Sequence, residues 1–250
     1  FFSDKLDIVY DMLSKWTNFW LQYRTYENDI IPKYFHGNDS GWDNSTIFHD
    51  GGPIESPDLI SFLITQMNFL AEVAEKIGLN SESLNWKNKS TKFLDILIKE
   101  FWNGKKFIAR KIEGNKKLPV TAGDSLISFI PLILGNLLPE NILEELVNGL
   151  KEDNRFLTPY GLATESISSS FYNPDGYWRG PIWAPVMMII IDSLNRAGKT
   201  DFSNELRKKY LNLIKTGGLA ENFNAKTGEG LRDKGFAWTS AVFLILNDNT

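Results

Sequence analysis

Three polar loops carry the side chains of this sequence best equipped for chemistry. Residues 41–45 read GWDNS and place Asp43 between the indole of Trp42 and the amide of Asn44. Residues 177–183 read YWRGPIW, and residues 221–240 begin ENFNAKTGEG and end FAWTS. Four of the eight tryptophans, Trp42, Trp178, Trp183 and Trp238, lie in or beside these stretches. Indole faces suit the apolar faces of sugar rings, while carboxylates and amides suit their hydroxyls. A carboxyl beside an indole can have its pKa raised, which suits a general acid at neutral pH.

Each motif also has a plain structural reading. Asp43 in a glycine-flanked loop makes an Asx turn, and Glu221 with Asn222 and Asn224 makes a surface turn. Trp178, Arg179 and Gly180 read equally as a helix entry with the arginine snorkelling. Glu229 stands between two glycines near Arg232 and Lys234, where pairing with a cation is expected. Glu221 instead has two asparagine amides to orient it, which makes it the better candidate for a base. His49 reads as a loop polar group, and the sequons at Asn38, Asn44 and Asn88 are patterns short enough to arise by chance.

The elements that must position these loops are helices. Residues 4–24 carry Leu6, Val9, Leu13, Trp16 and Trp20 at helical spacing, with Ser3 as N-cap. Ser56, Pro57 and Asp58 read as N-cap, first-turn proline and first-turn acid of an apolar helix that Gly78 stops. Further helices are expected over residues 81–102, 126–138 (despite Pro131), 139–151, 181–196, 201–216 and 236–247, with a short hairpin over 101–118. Amphipathic and wholly apolar helices alternate along the chain. A helix apolar all round is buried on all sides and a striped one covers it, so the order describes inner and outer layers of a toroid. Each motif loop then joins an outer helix to an inner one, which brings all three loops to the same end.

Composition narrows the function classes. The chain has 250 residues and is 42% hydrophobic, enough for one domain or part of a larger one. Its 27 basic residues are scattered within a net charge of −4, which argues against nucleic acid. There is no cysteine, and two histidines leave little for a zinc site, so no cofactor or metal is expected. The apolar runs fall short of the ~20 residues a membrane span needs. The chain begins with Phe1 rather than Met, and residues 5–24 already read as a helix, so a processed chain or a fragment is expected. The absent cysteine and the lack of a visible leader lean the expectation towards the cytoplasm, and nothing indicates an oligomeric state.

Taken together, SGWDNS (40–45), YWRGPIW (177–183), ENFNAKTG (221–228) and FAWTS (236–240) resemble the glucosidase I and mannosylglycerate hydrolase type of glycoside hydrolase, related to trehalases. The resemblance covers the chain from about residue 35 onward. It implies an all-α (α/α)6 barrel, here with about eight of twelve helices plus a short β-hairpin, so that residues 1–250 form the C-terminal two thirds of one catalytic domain. It implies inverting cleavage of an α-glucosidic or α-mannosidic bond, with Asp43 as general acid and Glu221 as general base. Trp42, Asn44, Tyr177, Trp178, Arg179, Gly180, Trp183 and Trp238 would then shape the sugar pocket. The two carboxyls of inverting enzymes stand ~6.5–9.5 Å apart to admit a water. The sequence departs from the family at Thr46 and Ile47, where Pro-Arg often stands and where changed leaving-group contacts are expected. Missing helices would also leave apolar faces bare. The rival readings are a sugar-binding protein without turnover, a helical-repeat interaction module and a toroidal lyase or isomerase.

Overall fold

A computed structural model describes residues 5–27 and 29–248. The expected N-cap Ser3 lies outside them. The chain is mostly helical with two small sheets. Its helices are α1 (Leu6–Tyr23), α2 (Pro57–Lys76), α3 (Asn80–Ile96), α4 (Glu140–Lys151), α5 (Ala184–Arg196), α6 (Thr200–Gly217) and α7 (Ala237–Asp248). The short strands are β1 (Ile54–Glu55), β2 (Arg110–Glu113), β3 (Lys116–Pro119), β4 (Asn222–Phe223) and β5 (Gly230–Leu231). No helix among the described residues is long and apolar enough to cross a membrane.

The expected apolar helix at 126–138 is a 3-10 segment, Leu126–Leu137. Pro131 has no amide to donate and clashes with the carbonyl one turn back in an α-helix. Gly135 breaks the segment at φ 51°. Ser56 does stand at the N-cap of α2, but its hydroxyl donates to the Asp58 carboxylate rather than accepting from a backbone amide. Burial pushes the Asp58 carboxyl up, against the hydrogen bonds from Ser56 and Tyr34.

Packing follows the division between striped and apolar helices for most of the chain. α2 buries 12 of its 20 residues, whereas α1 buries only Tyr10 and Thr17. α2 packs on α3 and α5 on α6, while α2, the 3-10 segment, α5 and α7 contact one another in that succession. Ile60, Ile64, Met67, Leu132, Met187 and Ile190 are sealed from solvent along that inner row. α7 departs from the expectation. It is apolar nearly all round, yet only Thr239, Val242 and Leu246 are buried, and Leu244 is 61% exposed. The rule that such a helix is covered on all sides fails there.

The expected hairpin is β2–β3, closed by Gly114 and Asn115, and β1 pairs antiparallel with β2 to make three strands. The pairing is held by charge. Glu55 on β1 is wholly buried and meets Lys33 at 3.3 Å, Arg110 at 2.6 Å and Lys117 at 2.9 Å. Lys33 is also wholly buried and reaches Asp29 at 2.8 Å. The second hairpin, β4–β5, lies inside the third motif loop and had no alternating apolar pattern to announce it.

Two outcomes are expected. Glu55→Gln removes the buried carboxylate that Lys33, Arg110 and Lys117 share, leaving Lys33 only Asp29 among the described residues, and should destabilise the fold by about 3 kcal/mol, read as a lower urea midpoint; an unchanged midpoint would remove the cluster from the stability account. α1 exposes Met12, Trp16, Phe19 and Tyr23, and α7 exposes Trp238, Leu244 and Ile245. Contiguous apolar faces of this kind drive association, so the isolated 250-residue chain should sediment as oligomers that Trp16→Glu with Leu244→Glu disperses. A monomeric parent chain would contradict this.

Candidate active site

The three motif loops meet. Trp42 lies 4.9 Å from Trp178 between ring centroids, Trp178 stacks on Trp183 at 4.0 Å and 5°, and Trp183 stands 6.1 Å from Trp238. Tyr177 packs edge-on against Trp183 at 5.1 Å, and the Trp183 indole donates to the Tyr177 carbonyl at 2.9 Å. Trp183 is the extended N-cap residue of α5, so the ring beneath the site is fixed by a helix start.

Asn44 ties the first loop to the second. Its Oδ1 accepts from the Trp178 amide at 2.9 Å and its Nδ2 donates to the Gly176 carbonyl at 3.0 Å. Arg179 completes the tie by donating to the Asn44 carbonyl at 2.7 Å. Asp43 sits in the turn between these contacts and is half-buried. Behind it the chain has no space to spare: a Cβ on Gly37 would fall 1.8 Å from the Asp43 carbonyl oxygen.

The third loop reaches the second through backbone and charge. Phe223 of β4 exchanges amide–carbonyl bonds with Ile182, at 3.0 and 2.7 Å. Arg232 donates to Asn222 Oδ1 at 2.9 Å, pairs with Asp175 at 2.9 Å, and lies over the Tyr177 ring at 5.1 Å. Tyr177 and Arg232 both have φ near +60°, an uncommon backbone state for bulky residues. Such strain collects at functional sites. Burial first, then the charges of Asp43 and Glu221, push the Tyr177 hydroxyl above its ordinary pKa, while Arg232 works the other way. Tyr177 therefore stands within the field of both candidate carboxylates.

A cavity of about 430 Å³ opens beneath the loops, lined by Trp42, Trp178 and Trp238 with Phe62 of α2, Ile130 and Val186 of α5. Asp43, Tyr177 and Glu221 stand outside that lining. Asn44, Arg179, Gly180 and Trp183 are not on its wall either and act as supports. Gly180 is buried at φ +154°, where a Cβ would meet the Asn173 carbonyl at 2.3 Å. Buried Asn222 Nδ2 and the Tyr172 hydroxyl have no hydrogen-bond partner among the described residues.

Several expectations need correction. Arg232 is taken by Asp175 and Asn222, and Lys234 donates to the Gly230 carbonyl at 2.9 Å, so neither cation pairs with Glu229. Asn224 does not orient Glu221; its side chain accepts from the Lys226 and Thr227 amides and makes an Asx turn. Thr46 and Ile47 are buried, so they do not present leaving-group contacts. The clamping roles of Arg232 and Asp175 were not legible, because the left-handed turns that aim them have no signature in residue type. Among the described residues no three His, Asp or Glu side chains gather as a metal site.

The Asn44 tie makes a checkable claim. Asn44→Ala removes two side-chain hydrogen bonds, each with a net worth of about 1 kcal/mol. The Trp178 amide should exchange its hydrogen at least ~10-fold faster while the Phe223 amide is unaffected. Unchanged protection at Trp178 would show that the loops are held otherwise.

Known proteins resemble this chain in sequence and in fold. The profile of the Mannosylglycerate hydrolase MGH1-like glycoside hydrolase domain matches residues 3–239. The chain is 26% identical over 213 residues to the probable mannosyl-oligosaccharide glucosidase of Schizosaccharomyces pombe, covering 77% of this chain and 26% of that protein. It is 28% identical over 121 residues to the mannosylglycerate hydrolase of Thermus thermophilus, covering 47% and 28%. The aligned part thus spans about a quarter of each of these relatives. In fold, it superposes on a GH63 mannosylglycerate hydrolase from Thermus thermophilus in complex with glucose with a TM-score of 0.81 at 17% identity, over 98% of this chain and 69% of that one. The loops, the indole column and the matched profile make one assignment: the chain belongs to the family of MGH1-like glycoside hydrolase domains.

Proposed function

We propose that this protein hydrolyses an α-glucosidic or α-mannosidic bond of an oligosaccharide or small glycoside with inversion at the anomeric carbon. The observation that carries the reading is the indole column of Trp42, Trp178, Trp183 and Trp238, which brings the three motif loops together over an indole-lined cavity. Asp43 is the general acid. It protonates the glycosidic oxygen as the bond to the anomeric carbon breaks and positive charge spreads onto the ring oxygen. Glu221 is the general base. It takes a proton from a water that attacks the opposite face of the ring, and a carboxyl separation of ~6.5–9.5 Å would admit that water. The cycle leaves Asp43 ionised and Glu221 protonated, and exchange with solvent resets both.

Trp42, Trp178 and Trp238 offer faces for the sugar. The architecture we infer is an (α/α)6 toroid, with α2, the 3-10 segment, α5 and α7 on the inside and the residues of this chain forming its C-terminal two thirds. The coverage of the superposed hydrolase, 98% of this chain against 69% of that one, supports this.

The test compares leaving groups in the full-length protein. Asp43→Asn should lose ~10²–10⁴ in rate on unactivated glycosides and far less on glycosyl fluorides, which need no proton. Glu221→Gln should abolish turnover on both while still binding sugar by calorimetry. Glu229→Gln should lose less than about tenfold, or 1.4 kcal/mol of barrier. Equal, small losses for both substrate kinds in Asp43→Asn, or a dead Glu229→Gln with an active Glu221→Gln, would overturn the assignment.

A further inference from the structure

Glu165 is a buried carboxylate for which the chemistry above has no use. It lies in the irregular stretch after α4, is wholly sealed from solvent, and has no Lys or Arg paired with it among the described residues. A buried carboxylate without a cation is costly unless donors satisfy it. Glu165 has three. Oε2 accepts from the Thr46 hydroxyl at 2.7 Å, and Oε1 accepts from the Asp124 amide at 2.6 Å and the Ser169 hydroxyl at 2.5 Å.

These donors come from three segments, and one of them carries Asp43. The Ser45 amide donates to the Trp42 carbonyl at 2.7 Å, which closes the turn around Asp43 and Asn44. Ser45 and Thr46, two and three residues past Asp43, are both anchored behind that turn. Ser45 Oγ lies 2.9 Å from Ser125 Oγ, and Ser125 pairs antiparallel with Glu165. Gly123, at φ +70°, lets the backbone approach so closely that a Cβ there would meet Glu165 Oε1 at 2.5 Å and the Thr46 side chain at 2.6 Å. On the far side, Asp124 is braced by Arg155 at 2.8 Å and Lys106 at 2.5 Å. Asp43 thus presents its carboxyl from a turn pinned in front by Asn44 and behind by Glu165.

We propose that Glu165 is a positioning residue for Asp43, holding the acid-bearing turn through Thr46. This rests on the reading of Asp43 as general acid. A proton donor displaced by ~1 Å can lose ~10²-fold in rate, and that loss falls on substrates that need the proton.

The test uses the full-length protein with Glu165→Gln, Thr46→Val and the double variant. Each is measured on an alkyl α-glycoside and on the α-fluoride of the same sugar, with amide exchange followed over residues 43–46. Each single variant should lose ~10–100-fold in kcat on the alkyl glycoside and under about threefold on the fluoride, with KM little changed. The double variant should fall no more than about twofold below the worse single one, since both cut one link. Exchange at residues 43–46 should quicken at least ~10-fold in both single variants. Equal losses on the two substrates, additive losses, or unchanged exchange would overturn the proposal. A parent protein that cleaves neither substrate overturns the reading of Asp43 as an acid, and exchange then still decides whether Glu165 holds the turn.

Discussion

The parallel stack of Trp178 on Trp183 is the contact on which the site depends. Trp183 is fixed because it caps α5 and is 1% exposed, and Trp178 lies flat on it directly after a left-handed step at Tyr177. That step places the Tyr177 ring edge-on against the stack and beneath the guanidinium of Arg232. Trp42 closes the column from the first loop and Trp238 stands at its other side. Aromatic pairs of this kind contribute ~0.5–1.5 kcal/mol beyond burial, enough to offset the strain of one or two unusual backbone residues.

Around that column the polar groups divide into two sets. Asn44, Arg179, Asp175 and Arg232 bond to one another's loops and so fix geometry. Asp43 and Glu221 have no such engagement among the described hydrogen bonds and ion pairs, and both are only partly buried. Side chains that the fold does not consume are the ones free to act on a ligand. The buried charges at Glu55 and Glu165 show the contrast: every oxygen there faces lysine, arginine, hydroxyl or amide donors.

Much of this was legible in residue order. Ser56 and Pro57 mark the start of α2 and Gly78 its stop, because proline and glycine act through backbone terms that need no tertiary context. The three loops stand out as tryptophan-rich polar stretches ahead of apolar helices, and their convergence follows from the alternation of helix types. What stayed hidden depends on the third dimension. α7 reads as a buried helix and is half bare, since burial requires a neighbour and not only an apolar sequence. Pro131 was visible as a helix breaker, yet its type alone did not announce that 3-10 turns would replace the α-helix or that Gly135 would break them at φ 51°. Glu165 in the run ATESISSS looks like a loop polar group, and only the meeting of residues 46, 124 and 169 shows what it holds.

The central claim is that Asp43 and Glu221 act on opposite faces of one sugar ring. Proton NMR of the anomeric signals during hydrolysis of an α-glycoside by the full-length protein tests this most directly, before mutarotation mixes the products. The β-anomer should appear first, as attack by a Glu221-activated water requires. Initial release of the α-anomer would mean retention through a covalent intermediate, and would contradict the roles assigned to both carboxylates.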